Sequence, residues 1–74
     1  MFTVKVIDRN SGRPVFGKKV QVFFDGFFRD PPYNEYTDDE GEAHFDYDNG
    51  DGKVYVGRDL VYEGYISGRK IVYI

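Results

Sequence analysis

The strongest constraint in this sequence is a two-residue alternation of apolar and polar side chains over short segments. Phe2, Val4 and Val6 fall on one side of an extended chain, with Thr3 and Lys5 on the other. Val20, Val22 and Phe24 stand opposite Lys19 and Gln21, and Ala43, Phe45 and Tyr47 alternate with Glu42, His44 and Asp46. A period of two belongs to strands with one face buried, and no apolar stripe of period 3.6 survives beyond one turn, so no helix of normal length is expected. Strands are predicted at about 2–8, 18–24, 27–29, 33–37, 42–47, 53–57, 59–66 and 69–74.

The residues between these segments are turn formers: Asn10-Ser11-Gly12, Asp30-Pro31-Pro32, Asp38-Asp39-Glu40-Gly41, Asn49-Gly50-Asp51-Gly52 and Ser67-Gly68. They supply a positive φ or a φ preset near −65°. Asp38 is positioned to close an Asx turn while Gly41 takes a positive φ, and Gly17 is expected to relieve crowding where the second strand begins. The loops are too short for parallel crossovers. Short strands with frequent turns predict an all-β fold in a single domain over residues 1–74, a β-sandwich or small barrel, and of these a small antiparallel Greek-key sandwich of about seven strands is the reading taken forward.

Composition narrows the function classes. Residues 1–29 carry net +4, residues 30–52 net −9 and residues 53–74 net +2, for a total of −3. A polyphosphate is repelled by such a chain, so nucleic acid is excluded as a general partner. The acidic middle holds Tyr33, Tyr36, Phe45 and Tyr47, and that aromatic content marks solvated turns within a fold rather than a disordered tail. No apolar run reaches membrane-spanning length, and the N-terminal residues lack the charged and apolar regions of a signal peptide, so no membrane partner is expected. With no cysteine, disulfide frameworks and thiol chemistry are excluded together, and the compartment stays open.

Three pieces stand in a familiar order. Val6-Ile7-Asp8-Arg9-Asn10-Ser11-Gly12-Arg13-Pro14-Val15-Phe16-Gly17-Lys18-Lys19-Val20-Gln21-Val22 resembles the opening of carboxypeptidase regulatory-like and transthyretin-like modules. Thr37-Asp38-Asp39-Glu40-Gly41-Glu42-Ala43-His44-Phe45 is similar to their T-D-x-x-G hairpin, and Gly52-Lys53-Val54-Tyr55-Val56 to their closing strands. The resemblance spans roughly residues 4–56 and implies a prealbumin-like sandwich. It implies no activity, since such modules are mostly accessory domains. The related hydroxyisourate hydrolases end in a Tyr-Arg-Gly-Ser motif. This chain ends Arg69-Lys70-Ile71-Val72-Tyr73-Ile74, and the activity is not carried over.

Candidate sites are few. The only histidine, His44, lies between Glu42 and Asp46 on one strand face. Those acids sit about 13 Å apart and do not both reach one ion, so a solvated polar face is expected. Ser11 and Ser67 fall in turns, which leaves nucleophilic catalysis without parts. Asp46, Asp48, Asn49 and Asp51 crowd one turn, but Gly50 occupies the third ligand position of a calcium loop and no Glu stands at the twelfth. Hence no catalytic residue, cofactor or metal ligand is assigned.

The aromatics are the least ordinary feature. Phe23-Phe24 and Phe27-Phe28 are adjacent pairs, so one ring of each points away from the main core if the chain is extended. Phe23, Phe28, Tyr55, Tyr65 and Tyr73 form the expected aromatic contact surface. Lys70-Ile71-Val72-Tyr73-Ile74 is an apolar terminal strand that needs a partner, within the chain or on a neighbour. The expected function is a non-enzymatic structural or protein-interaction module, with self-association as a homodimer. A carbohydrate-binding module using exposed rings is the alternative, and coplanar exposed rings on one face would favour it.

Overall fold

The computed structural model describes residues 1–26 and 32–74. The predicted strand at 27–29, and with it Phe28, lies outside the described residues. The described residues form seven strands: β1 (Phe2–Ile7), β2 (Lys19–Phe24), β3 (Tyr33–Tyr36), β4 (Glu42–Phe45), β5 (Gly50–Val56), β6 (Asp59–Ile66) and β7 (Gly68–Tyr73). They form two sheets, a three-stranded one in the order β4-β1-β7 and a four-stranded one in the order β3-β2-β5-β6. The alternation that identified the strands also decides what they bury. Phe2, Val4, Val6, Ala43, Phe45 and Val72 of the first sheet meet Val20, Val22, Val54, Val56 and Ile66 of the second in one core. Phe2 stacks on Phe45 at 4.9 Å and meets the edge of Phe24 at 5.8 Å, which closes one end of the sandwich.

Two expectations are corrected here. β1 and β7 pair in parallel, from Phe2 opposite Gly68 to Ile7 opposite Tyr73, whereas short loops had suggested antiparallel neighbours throughout. Five strands intervene, so the return path is the body of the domain and no loop has to make the crossover. In addition, Asn49-Gly50-Asp51-Gly52 is not wholly a turn, because β5 already begins at Gly50, opposite Ile66. Gly52 lies against the backbone of Phe23, where no side chain fits, so its glycine reflects close strand approach rather than a reversal.

The two segments that carry the motifs are crossings between sheets. Residues 8–18 lead from β1 into β2 and residues 37–41 lead from β3 into β4, and the two crossings are hydrogen-bonded to each other. Thr37 is 3% exposed; its hydroxyl donates to the Val15 carbonyl at 2.6 Å and accepts the Lys18 N–H at 2.8 Å. The Thr37 N–H donates to the Lys18 carbonyl, and the Gly17 N–H to the Thr37 carbonyl. Gly41 has φ +76°, and a Cβ there would lie 2.7 Å from Pro14 Cβ and 2.7 Å from the Val6 carbonyl oxygen. Gly17 needs glycine for a different reason from the one expected: space around it is open, and its φ of +72° is the constraint.

Candidate functional site

Two outward-facing regions carry chemistry. The first is the outer surface of the three-stranded sheet. Register places His44 of β4 opposite Thr3 of β1, and Thr3 opposite Arg69 of β7, so three strands contribute one row of polar side chains. His44 Nδ1 lies 2.9 Å from Thr3 Oγ1. On its other side His44 Nε2 is 3.3 Å from Asp38 Oδ2 and 3.8 Å from Glu42 Oε1. Arg69 reaches across β1 and brings Nε to 3.3 Å from Glu42 Oε2.

The turn before β4 positions Asp38. Its Oδ1 accepts the backbone N–H groups of Glu40 at 2.9 Å and Glu42 at 3.0 Å, the Asx turn expected from the sequence. Oδ2 is thereby left facing the imidazole. The N–H of Glu42, with further help from Glu40 and His44, holds the Asp38 carboxyl below the ordinary carboxylate range. The Asp38 and His44 side chains are about half exposed, whereas Glu42 is largely covered.

Asp38 is the residue that reading β4 alone missed. Asp46 stands beyond the last residue of β4, so the flanking acid that approaches His44 comes from the preceding turn instead. Asp38, Glu42 and His44 each direct one ligand atom to a common centre, all within 4.8 Å of one another. Thr3, His44 and Asp38 also form a hydroxyl–imidazole–carboxylate chain. Thr3 lies in the central strand, where the peptide groups serve the ladders to β4 and β7.

The second region is aromatic. Phe23, Tyr55 and Tyr65 emerge on the outer face of the four-stranded sheet, since Val22, Val54 and Ile66 beside them point inward. Phe23 meets Tyr55 edge-on at 5.4 Å with an interplanar angle of 78°. Tyr65 is set apart from this pair by Lys53, which lies 3.9 Å from Asp25 and 3.7 Å from Glu63. Tyr73 belongs to the opposite sheet. The expected contact residues therefore do not make one surface, because β6 and β7 lie in different sheets.

Rings outside that expected set gather elsewhere. A cleft of about 350 Å³ is walled by Phe24, Tyr33 and Tyr47 and rimmed by Asp25, Asp48 and Asp51. Tyr47 lies against Tyr33 at 3.8 Å between centroids, tilted by 34°, rather than entering the core, because β4 ends at Phe45. The adjacent Asp46, Asp48 and Asp51 do not converge as a set of metal ligands.

The last strand presents a bare edge. β7 is the terminal member of its sheet, and among the described residues no strand pairs with its far side. The Ile74 N–H donates to the Ile7 carbonyl and the Ile74 carbonyl accepts from Arg9, so alternation turns the peptide groups of Ile71 and Tyr73 away from β1. Their side chains are 45% and 52% exposed. No protein-family model matches this sequence, and no curated protein sequence matches it.

Proposed function

We propose that this protein is a non-enzymatic structural or protein-interaction module of the transthyretin-like, carboxypeptidase regulatory-like type, which associates with itself through β7. The observation that carries this reading is the open edge at Ile71 and Tyr73, where peptide groups that no strand among the described residues pairs and exposed apolar side chains coincide. Such an edge is a template for strand addition. Two copies of β7 meeting antiparallel about a two-fold axis would join two three-stranded sheets into one of six strands and withdraw both edges from solvent.

The motif segments support the family reading in physical terms. They form the two crossings that lock the sheets together, which is a structural role and needs no reactive group. The alternative of a sugar platform is less well supported, since Phe23 and Tyr55 are close to perpendicular and offer no shared plane for stacking.

Sedimentation velocity at micromolar concentration tests the reading. A species of twice 8.6 kDa is expected. Ile71→Pro removes an N–H that faces away from β1, so it should leave the intrachain ladder intact and give a monomer. Ile71→Lys should do the same through charge. A wild-type protein that sediments as a monomer would overturn self-association through this edge.

A further inference from the structure

We propose that Asp38, Glu42 and His44 form a binding site for one divalent transition-metal ion, with zinc as the type ion, on the outer face of the β4-β1-β7 sheet. This inference does not depend on self-association. Zinc bound tetrahedrally at about 2.0–2.2 Å places its ligand atoms about 3.3–3.6 Å apart. His44 Nε2 already stands 3.3 Å from Asp38 Oδ2 and 3.8 Å from Glu42 Oε1. One ligand atom from each of the three residues lies within 4.8 Å of the others, so a small adjustment of the Glu42 carboxylate completes the set.

The atoms that face away from the centre each have a partner of their own, from the backbone of the turn or from β1 and β7. Asp38 Oδ1 takes the backbone N–H groups of Glu40 and Glu42. Glu42 Oε2 is held by Arg69 Nε from β7. His44 Nδ1 is held by Thr3 Oγ1 from β1. An ion taken up at Nε2 places the ring proton on Nδ1, where the Thr3 hydroxyl is in position to accept it. Partners of this kind orient metal ligands and tune their basicity. One oxygen of each carboxylate and one imidazole nitrogen are left pointing at the same space.

The donor set selects the ion. An imidazole with two carboxylates suits zinc, nickel or copper(II), whereas magnesium and calcium prefer oxygen alone and copper(I) prefers sulfur. Two carboxylates balance a dication, with the Arg69 charge applied to the oxygen that the ion does not use. The exposure of Asp38 and His44 leaves a fourth position open to water.

Because His44 is the only histidine, a single imidazole reports on the site. The experiment is titration of the untagged full chain with zinc chloride, followed by calorimetry and by two-bond imidazole ¹H–¹⁵N spectra. Saturable binding of one ion is expected, with the large nitrogen shift at Nε2 and the proton on Nδ1 in the bound state. His44→Gln and Glu42→Gln should each weaken binding at least about tenfold, and Thr3→Val by about tenfold through loss of the orienting hydroxyl. These variants leave the Asp38 turn intact, and unchanged amide spectra would verify their fold. Absence of saturable binding overturns the proposal. Undiminished affinity in His44→Gln, or ligation through Nδ1, would also overturn it.

Discussion

The Thr37 hydroxyl donates to the Val15 carbonyl at 2.6 Å and so fastens the crossing from β3 to β4 onto the crossing from β1 to β2. Thr37 is buried, and the same oxygen accepts the Lys18 N–H. Thr37→Val preserves shape but leaves both backbone groups without that partner, and a loss of about 1–3 kcal/mol is expected in urea denaturation. Thr37→Ser keeps the hydroxyl and should recover most of the loss. Destabilisation by Thr37→Ser with Thr37→Val close to wild type would point to packing of the methyl group instead.

Gly41 and Gly12 share nearly the same φ, +76° and +72°, but only Gly41 is enclosed. Gly12→Ala meets no atom within 4 Å and should lose only the conformational preference, about 1–2 kcal/mol. Gly41→Ala adds a collision with Pro14 Cβ and the Val6 carbonyl, both at 2.7 Å, and should be less stable than Gly12→Ala by a further 1–3 kcal/mol or so. Comparing the two denaturation midpoints isolates the contribution of space from that of φ.

Asp8 closes the first turn by accepting the N–H groups of Ser11 and Asn10. The Ser11 N–H, then that of Asn10, lowers its carboxyl below the ordinary value. A depressed pKa in the folded state means that the unfolded state binds the proton more readily as pH falls. The stabilisation is therefore complete above the unfolded value of about 3.9 and is lost as pH drops from there through the folded value. The stability difference between the wild type and Asp8→Asn should fall over that window. A difference independent of pH would show that the charge on Asp8 contributes nothing.

The strands were legible in the sequence because burial on one face imposes a period of two, as at Phe2-Val4-Val6 and Ala43-Phe45. The corner at Thr37–Gly41 was legible because turn chemistry is local. The parallel pairing of β1 with β7 was not, since the choice between distant partners is made by the whole domain. The metal-ligand cluster was half legible. Asp38 in an Asx turn and His44 beside Glu42 could both be read, and the turn that joins them brings Oδ2 to the imidazole. Arg69 could not be read, because its approach to Glu42 depends on β7 lying next to β1. The separation of Tyr65 from Tyr73 is not legible either, because proximity along the chain says nothing about which sheet a strand joins.

Amide hydrogen exchange along β7, measured across a range of protein concentrations, tests the proposed edge most directly. Val72 should be protected at every concentration by its bond to β1, while the amides of Ile71 and Tyr73 should gain protection as concentration rises and a second copy pairs with them. Rapid exchange at Ile71 and Tyr73 at all concentrations, with Val72 protected throughout, would contradict association through this strand.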